Sequence, residues 1–441
     1  MANIILLGGG IEALPIIQRV KELGHRAIVV DGDPDAPAWE IADRCSVASC
    51  YNSEAAIRDL KNMGENYDAV LPAATDTPHV ATAIREAFGL PGMGMESAAL
   101  SIDKYEQKLE LMGISKGVPI PAFKTAVIKP INNKFKQKQA LAMADIPIPM
   151  FGLVADPLWF AGPESLAVFK PPDSRGGRGV IRLLPGVDPA WAYAEAVRHS
   201  PTSQVMVEQW LDGPQLSTES IVQDGRVLFT AVGLRNYARL DEFAPYVIED
   251  GFDSPYALWQ KKLYNIIGVD RDISDLIERA CTALGWYQSD GGTVKGDLVI
   301  HNGRVYIIEL AARLSGGFFC MAHQAVYGVD FIGDAIRLAL GENTKYTAPV
   351  SGNFVCQRYI FPRPEDIGKT IVRLAPLSNP TKWLSSGTFR SYSNHLGHVI
   401  APVTCHADRL GQAIATGSTP QEARERAEWL VSEMYAGMVV E

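Results

Sequence analysis

The stretch AVFKPPDSRGGRGVIRLL, residues 167–184, decides how the rest of the chain is read. An apolar strand ending in Lys170 runs into a glycine-rich loop and leaves it along a second apolar strand. A Walker-type loop would lead into a helix and close on Gly-Lys-Ser/Thr, and this one does neither. Gly176, Gly177 and Gly179 let backbone N–H groups approach polyphosphate oxygens, while Lys170, Arg175 and Arg178 supply charge. A flexible phosphate flap is the functional reading, and a solvated hairpin tip is the bland one. A lysine inside the apolar strand favours the flap.

The next element, QVMVEQWLDGPQ (204–215), reads as a strand that could lend backbone groups and the Leu211 side chain to a flat apolar ligand such as adenine. Beyond it, KGDLVIHNGRVYIIELAARLSGG (295–317) gives two strands about Asn302-Gly303, the strongest short hairpin signal. Asp297 precedes the turn and Glu309 follows it. A carboxylate inside VYIIELAA is costly to bury unpaired, and oxygen-rich sites of this kind suit Mg²⁺. In a strict two-residue loop Asp297 would pair with Ile308 and point away from Glu309. A shared metal therefore requires an odd loop or a bulge, with Gly303 expected at positive φ. Arg313, four residues beyond Glu309, pairs with Glu309 or binds an anion beside the metal; the second reading is preferred.

Length and composition set the frame. The 441 residues are 47% hydrophobic with a formal charge of −9, which suits several globular cores and argues against a general nucleic-acid surface. The six cysteines (45, 50, 281, 320, 356, 405) are scattered without Cys-x-x-Cys spacing, as expected of cytosolic thiols. MANIILLGGG has no export signature and no run approaches a membrane span, so a soluble cytoplasmic protein is expected. NIILLGG, RAIVVDGD and YDAVLPAATD are short apolar runs between helical patterns, the signature of a parallel βαβ domain. Its first turn, Gly8-Gly9-Gly10-Ile11-Glu12-Ala13, formally fits a dinucleotide fingerprint with Asp31 at ribose distance, so an NAD-dependent oxidoreductase is one hypothesis. Thr75, Asp76 and Thr77 stand at a strand end, where they either meet a ligand or cap the next helix.

One element is written twice. DKYEQKLELMGISKGVPIPAF (103–123) and NKFKQKQALAMADIPIPMF (133–151) each open on a capping residue and Lys-aromatic-x-Gln-Lys, and each close on Pro-Ile-Pro-x-Phe. Asp103 and Glu106 have capping-box spacing, and acids offset the lysines of the first copy. Lys134, Lys136 and Lys138 have no such offset and oppose the helix dipole unless an anion sits there.

Flap, acidic hairpin and linking strand together resemble the ATP-grasp superfamily, in its biotin-carboxylase-like branch, and IIELAARLSGG resembles carboxylate–amine ligases such as the L-amino acid ligases most. The resemblance covers most of the chain. It implies a Rossmann-like N-terminal domain (1–102), a duplicated helix-linker region (103–151), a small subdomain with the flap (152–205), a large subdomain with the metal hairpin (206–345) and a small α+β C-terminal domain (346–441). It further implies ATP and Mg²⁺ as cofactors, with Lys170 as the phosphate lysine and Gly176, Gly177, Arg178 and Gly179 on the phosphates. Glu208, Gln209 and Leu211 would face the adenine side, with Gln215 near the ribose. Asp297 and Glu309 would hold the metal, and Arg313 would steady the reacting phosphate. Ala311 departs from the pattern, standing where the family has a metal-binding asparagine.

A lysine at a helix start upstream of Lys170 is also implied. Lys134 stands 36 residues before Lys170 and Lys104 stands 66 before it, so Lys134 is assigned the nucleotide and the first copy a packing role. The implied activity joins a carboxylate to an amine through an acylphosphate, with ADP and phosphate released, without nucleic acid or membrane. A homodimer is compatible with it. Two alternatives stay open beside the oxidoreductase: a biotin-carboxylase-like carboxylating enzyme, weakened by the absence of a Met-Lys-Met carrier motif, and a nucleotide-binding module without catalysis. Arg358, His406 and Arg409 form either a hairpin seam or part of a substrate site. Lys170→Met is expected to cost activity with little change in melting temperature.

Overall fold

The computed structural model describes residues 1–111, 146–154, 166–255, 269–344, 352–376, 378, 386–393 and 396–441. The N-terminal runs form a four-stranded parallel sheet in the order Arg44–Ser46, Arg26–Val30, Asn3–Leu7, Ala69–Pro72. Both faces are covered, which is why its strands are continuously apolar rather than alternating. Ile4 and Leu6 join a core containing Phe319 and Phe331, while Ile5 and Leu7 pack with Leu60, Val80 and Ile84. The glycine turn is tied back to its own sheet. Asp31 accepts the Gly9 N–H at 2.6 Å through one carboxylate oxygen and the Asp33 N–H at 2.9 Å through the other. Asp31, the residue on which the dinucleotide reading leaned, is thus engaged in holding its loop.

The flap belongs to a small antiparallel sheet ordered Phe151–Leu153, Met206–Gln209, Ala167–Lys170, Ile181–Arg182. Helix Pro189–Arg198 covers one face with Ala192 and Ala196. Asp188 caps that helix, accepting the Ala190 N–H. A second, eight-stranded antiparallel sheet runs Arg304–Ala311, Gly291–His301, Gln215–Gln223, Arg226–Asn236, Gly251–Ser254, Phe354–Ile360, Gly411–Gly417, Thr388–Tyr392. The strand Met206–Gln209, expected in the large subdomain, completes the small sheet. Strands Phe354–Ile360, Gly411–Gly417 and Thr388–Tyr392 continue the large sheet, so the division expected at 345/346 is not a break in it, while Ile371–Arg373 and Val439–Val440 form a separate two-stranded sheet. Helix Pro420–Gly437 packs Ala423, Ala427, Leu430 and Met434 on this C-terminal edge. Among the described residues no helix is long and apolar enough to cross a membrane.

Helices Phe319–Tyr327 and Phe331–Ala339 fill the space between the parallel sheet and the large sheet. A second tie is Trp286, which is fully buried and donates its indole N–H to the Ser97 carbonyl at 2.7 Å. Trp286→Ala should remove a large core side chain and leave that carbonyl unpartnered, lowering stability by about 3–5 kcal/mol in denaturant unfolding.

Candidate active site

A cleft of about 970 Å³ opens between the two antiparallel sheets, with the N-terminal strand ends at one side and the segment 406–409 at the other. Lys170, Gly176, Gly177, Arg178, Glu208, Gln209, Leu211, Gln215, Asp297, Glu309 and Arg313 all line it. Gly179 stands at the edge of the flap and is not in the wall. The flap glycines 176, 177 and 179 have φ of +65°, +71° and +69°, which side chains rarely adopt.

The hairpin answers the register question. Asn302 (φ 49°) and Gly303 (φ 76°) form a two-residue turn between paired His301 and Arg304. The extra residue lies further along: Leu298 pairs with Ile307 and Asp297 with Glu309, so Ile308 is bulged. The bulge brings both carboxylates to one face. Burial would push Glu309 up, yet Lys104, Lys295, Lys170 and Arg235 together hold it well below the usual carboxylate range.

Lys170 has a different partner from the one expected of a free phosphate lysine. It is 6% exposed and donates to Glu208 Oε1 at 2.6 Å. Lys108 Nζ approaches Glu208 Oε2 at 2.9 Å and donates to the Ile308 carbonyl at 2.6 Å. Burial alone would raise Glu208, but the two ammonium groups lower it; burial lowers Lys108 to about 8 despite its partner. Glu208 therefore holds the two lysines rather than simply facing an adenine.

The first copy of the repeated element, assigned a packing role from spacing, also reaches the cleft. The helix Lys104–Leu111 of the first copy starts where Asp103 accepts the Tyr105 N–H; Lys104 lines the cleft, and Lys108 is buried behind its wall against Glu208. Lys104 Nζ donates to the Ser174 carbonyl at 2.7 Å and lies 3.4 Å from Glu309 Oε2. Gln107, 2% exposed, bonds both the N–H and the carbonyl of Leu310. The first copy is thus not a mere packing helix. Lys134 lies outside the described residues, whereas the exit of the second copy supplies Phe151, whose ring meets Tyr105 edge-on at 5.6 Å.

Arg313 does not take Glu309 as its partner. Its Nε donates to Asp76 Oδ1 at 2.7 Å, bringing a residue of the parallel domain into the cleft. Asp76 is not a helix cap; the following helix begins at Thr77 without a side-chain cap bond. Of the three C-terminal candidates, His406 and Arg409 line the cleft and Arg358 does not. His406 N–H donates to the flap carbonyl of Gly176 at 2.9 Å, Arg409 lies 3.6 Å over the Tyr359 ring, and Arg358 pairs with Asp253 in the sheet.

Several residues went unread in the sequence: Lys104 and Lys108 as site groups, Lys295, Arg235, Glu249 and Glu219. Two carried a local signal, since Lys108 follows Lys104 by one helical turn and Lys295 shares strand parity with Asp297. Arg235 bridges Glu249 Oε2 (2.6 Å from Nε) and Asp297 Oδ1 (2.8 Å from Nη1) across two strands, which no local pattern announces.

No protein-family model matches the chain. The uncharacterised protein y4rH of Sinorhizobium fredii is 25% identical over 338 residues, 74% of this chain and 61% of that protein, so the match spans less than two thirds of that relative. A formate-dependent phosphoribosylglycinamide formyltransferase of Burkholderia lata is 26% identical over 97% of this chain and 93% of its own length. Among solved structures, the L-amino acid ligase from Bacillus licheniformis superposes with a TM-score of 0.68 at 17% identity, covering 100% of this chain and 98% of that one. The chain has the fold of that L-amino acid ligase.

Glu219 provides a pH test of the site's floor. It is fully buried on the large sheet, accepts the Ser315 N–H at 3.0 Å, and burial raises it to about 7 against the opposing influence of Ser315, Arg313 and Lys295. Between the ordinary value of 4.5 and 7 the folded state keeps a proton that the unfolded chain has lost, so its contribution to stability falls as pH rises through that window. Glu219→Gln keeps an acceptor for Ser315 and removes this dependence. Unfolding at pH 4.5 and pH 8 should show the variant gaining on wild type by on the order of 3 kcal/mol at the higher pH.

Proposed function

We propose that the chain is an ATP-dependent, ADP-forming ligase that joins a small carboxylate to an amine through an acylphosphate. The observation that carries this reading is one cleft that gathers the glycine flap, Lys104, Lys170, the Asp297–Glu309 pair and Arg313. Lys104, Lys170, Arg175 and Arg178 line the flap side of the cleft, which suits a polyanion. Lys104 and Lys170 both line the cleft, where they would meet the phosphates together with the flap N–H groups. Trp210, Leu211 and Gln215 line the same cleft, and in this reading Leu211 would meet the adenine and Gln215 the ribose.

The carboxylates fit Mg²⁺: register partners on one face, with Glu309 held ionised, supply the hard oxygen ligands this ion takes while it keeps waters and phosphate oxygens. Bound with the nucleotide, the ion would offset charge on the transferring phosphoryl group. The chain's own groups do the rest. Lys170 neutralises the γ-phosphate, Arg313 steadies the acylphosphate oxygens and is itself oriented by Asp76, and the closed flap excludes water from the intermediate. The amine then attacks without need of a protein nucleophile. A second cavity of about 520 Å³ at the parallel strand ends shares Glu12 and Tyr51 with the cleft and offers the acceptor a route to it.

The relatives support amide-forming chemistry, the formyltransferase by its full-length match and the L-amino acid ligase by its fold. A carboxylating enzyme would release phosphate with bicarbonate and no amine, and a silent module would release none. Phosphate release from ATP, screened over amino acids and small carboxylates with and without amines, separates these. The amine-dependent signal is expected.

Two variants sharpen the reading. Lys104→Ala loses a charge-assisted contact of ~1.5–3 kcal/mol and should raise the KM for ATP by about tenfold or more in steady-state kinetics. Lys170→Met should lower turnover at least ~tenfold, but the expectation of an unchanged melting temperature needs correcting. The substitution leaves buried Glu208 with Lys108 alone, so thermal unfolding should also reveal a loss of about 1–3 kcal/mol.

A further inference from the structure

Lys295 sits two residues before Asp297 on the same strand face, and its register partner on the neighbouring strand is Ala311. The methyl group of Ala311 carries no ligating atom and leaves room for a long side chain. Into that room Lys295 extends, with an 11% exposed side chain, and its ammonium meets both carboxylates: it bonds Asp297 Oδ2 and lies 3.5 Å from Glu309 Oε1. The other oxygens are taken from the far sides. Arg235 Nη1 is 2.8 Å from Asp297 Oδ1, and Lys104 Nζ is 3.4 Å from Glu309 Oε2. Lys295 is therefore the cation that the two carboxylates share.

We infer that Lys295 is the resident cation of the Asp297–Glu309 pair, one that a divalent ion must displace and that a nucleotide's phosphates receive. The inference rests on the ligase reading for its nucleotide part. Magnesium needs carboxylate oxygens at ~2.0–2.1 Å, and an ammonium group between the same oxygens cannot remain there. Displacement without a new partner would strand a buried positive charge, which is costly. A polyphosphate arriving with the metal supplies that partner. The metal-free carboxylates stay neutralised, and metal uptake is coupled to nucleotide uptake.

Mn²⁺ binding, followed by the loss of its free-ion electron paramagnetic signal, tests this without any turnover. Wild type should bind Mn²⁺ weakly alone and more tightly with ADP. Lys295→Met, which keeps the apolar stem but no charge, should bind Mn²⁺ alone about tenfold tighter or more than wild type, with a smaller gain from ADP. Equal nucleotide-free affinity in the two proteins overturns the inference. Should the methionine variant not fold, Lys295→Gln carries the same expectation. If the variant gains Mn²⁺ affinity while ADP has no effect on wild type, the resident cation stands and the nucleotide reading falls. If neither protein binds Mn²⁺ under any condition, both fall.

Discussion

Glu208, 4% exposed, carries its negative charge between two ammonium groups that come from different parts of the chain, Lys170 on the flap strand and Lys108 on the helix of the first repeat. None of the three tolerates its surroundings alone, since an unpaired buried charge costs several kcal/mol. Their mutual requirement fixes the helix against the small sheet. That in turn sets Lys104, one turn earlier, against Glu309 and the flap carbonyl of Ser174. A buried ion cluster of this kind adds less stability than an apolar core of equal volume would. Its contribution here is geometric: it places ammonium groups where a polyphosphate would otherwise meet only backbone.

The opposite wall obeys the same logic in the large sheet. The bulge at Ile308 turns Glu309 to the face of Asp297, and Lys295 from Asp297's own strand and Arg235 from two strands away then neutralise the pair. Glu208, Asp297, Glu309 and Asp76 thus each have a cationic partner without any ligand. In the proposed function, nucleotide and metal would exchange partners with these groups rather than fill vacant sites, and the free energy of binding would be a difference between two well-paired states. Such sites discriminate sharply, because a ligand that fails to replace a displaced partner leaves a charge stranded.

Closure involves all parts of the molecule. The flap is touched by Tyr51 of the parallel domain, whose ring lies 3.9 Å beneath the Arg175 guanidinium, by Lys104, and by His406 from the C-terminal edge of the large sheet. Arg313 and Asp76 join the large sheet to the parallel strand ends. The N-terminal domain, although built like a dinucleotide fold, uses its glycine turn and Asp31 to shape its own loop and contributes Asp76, Glu12 and Tyr51 to a shared cleft.

Elements whose chemistry is local were legible in the sequence. Short apolar runs announced the parallel sheet, the glycine-rich loop the flap, and Asn302-Gly303 the hairpin. Strand parity required an odd loop or a bulge if Asp297 and Glu309 were to share a face, and the structure shows which. What only the tertiary structure decided is which distant residues meet: Lys108 with Glu208, Arg235 with Asp297, Arg313 with Asp76, Glu219 beneath Ser315, and Lys295 between two acids. The repeat is the clearest case. Both copies carry the same Lys-aromatic-x-Gln-Lys pattern, and spacing along the chain pointed to Lys134, whereas the structure brings Lys104 into the cleft. Sequence distance measures neither path nor direction, and the place of Lys104 and Lys108 is decided by buried charge pairing across the fold.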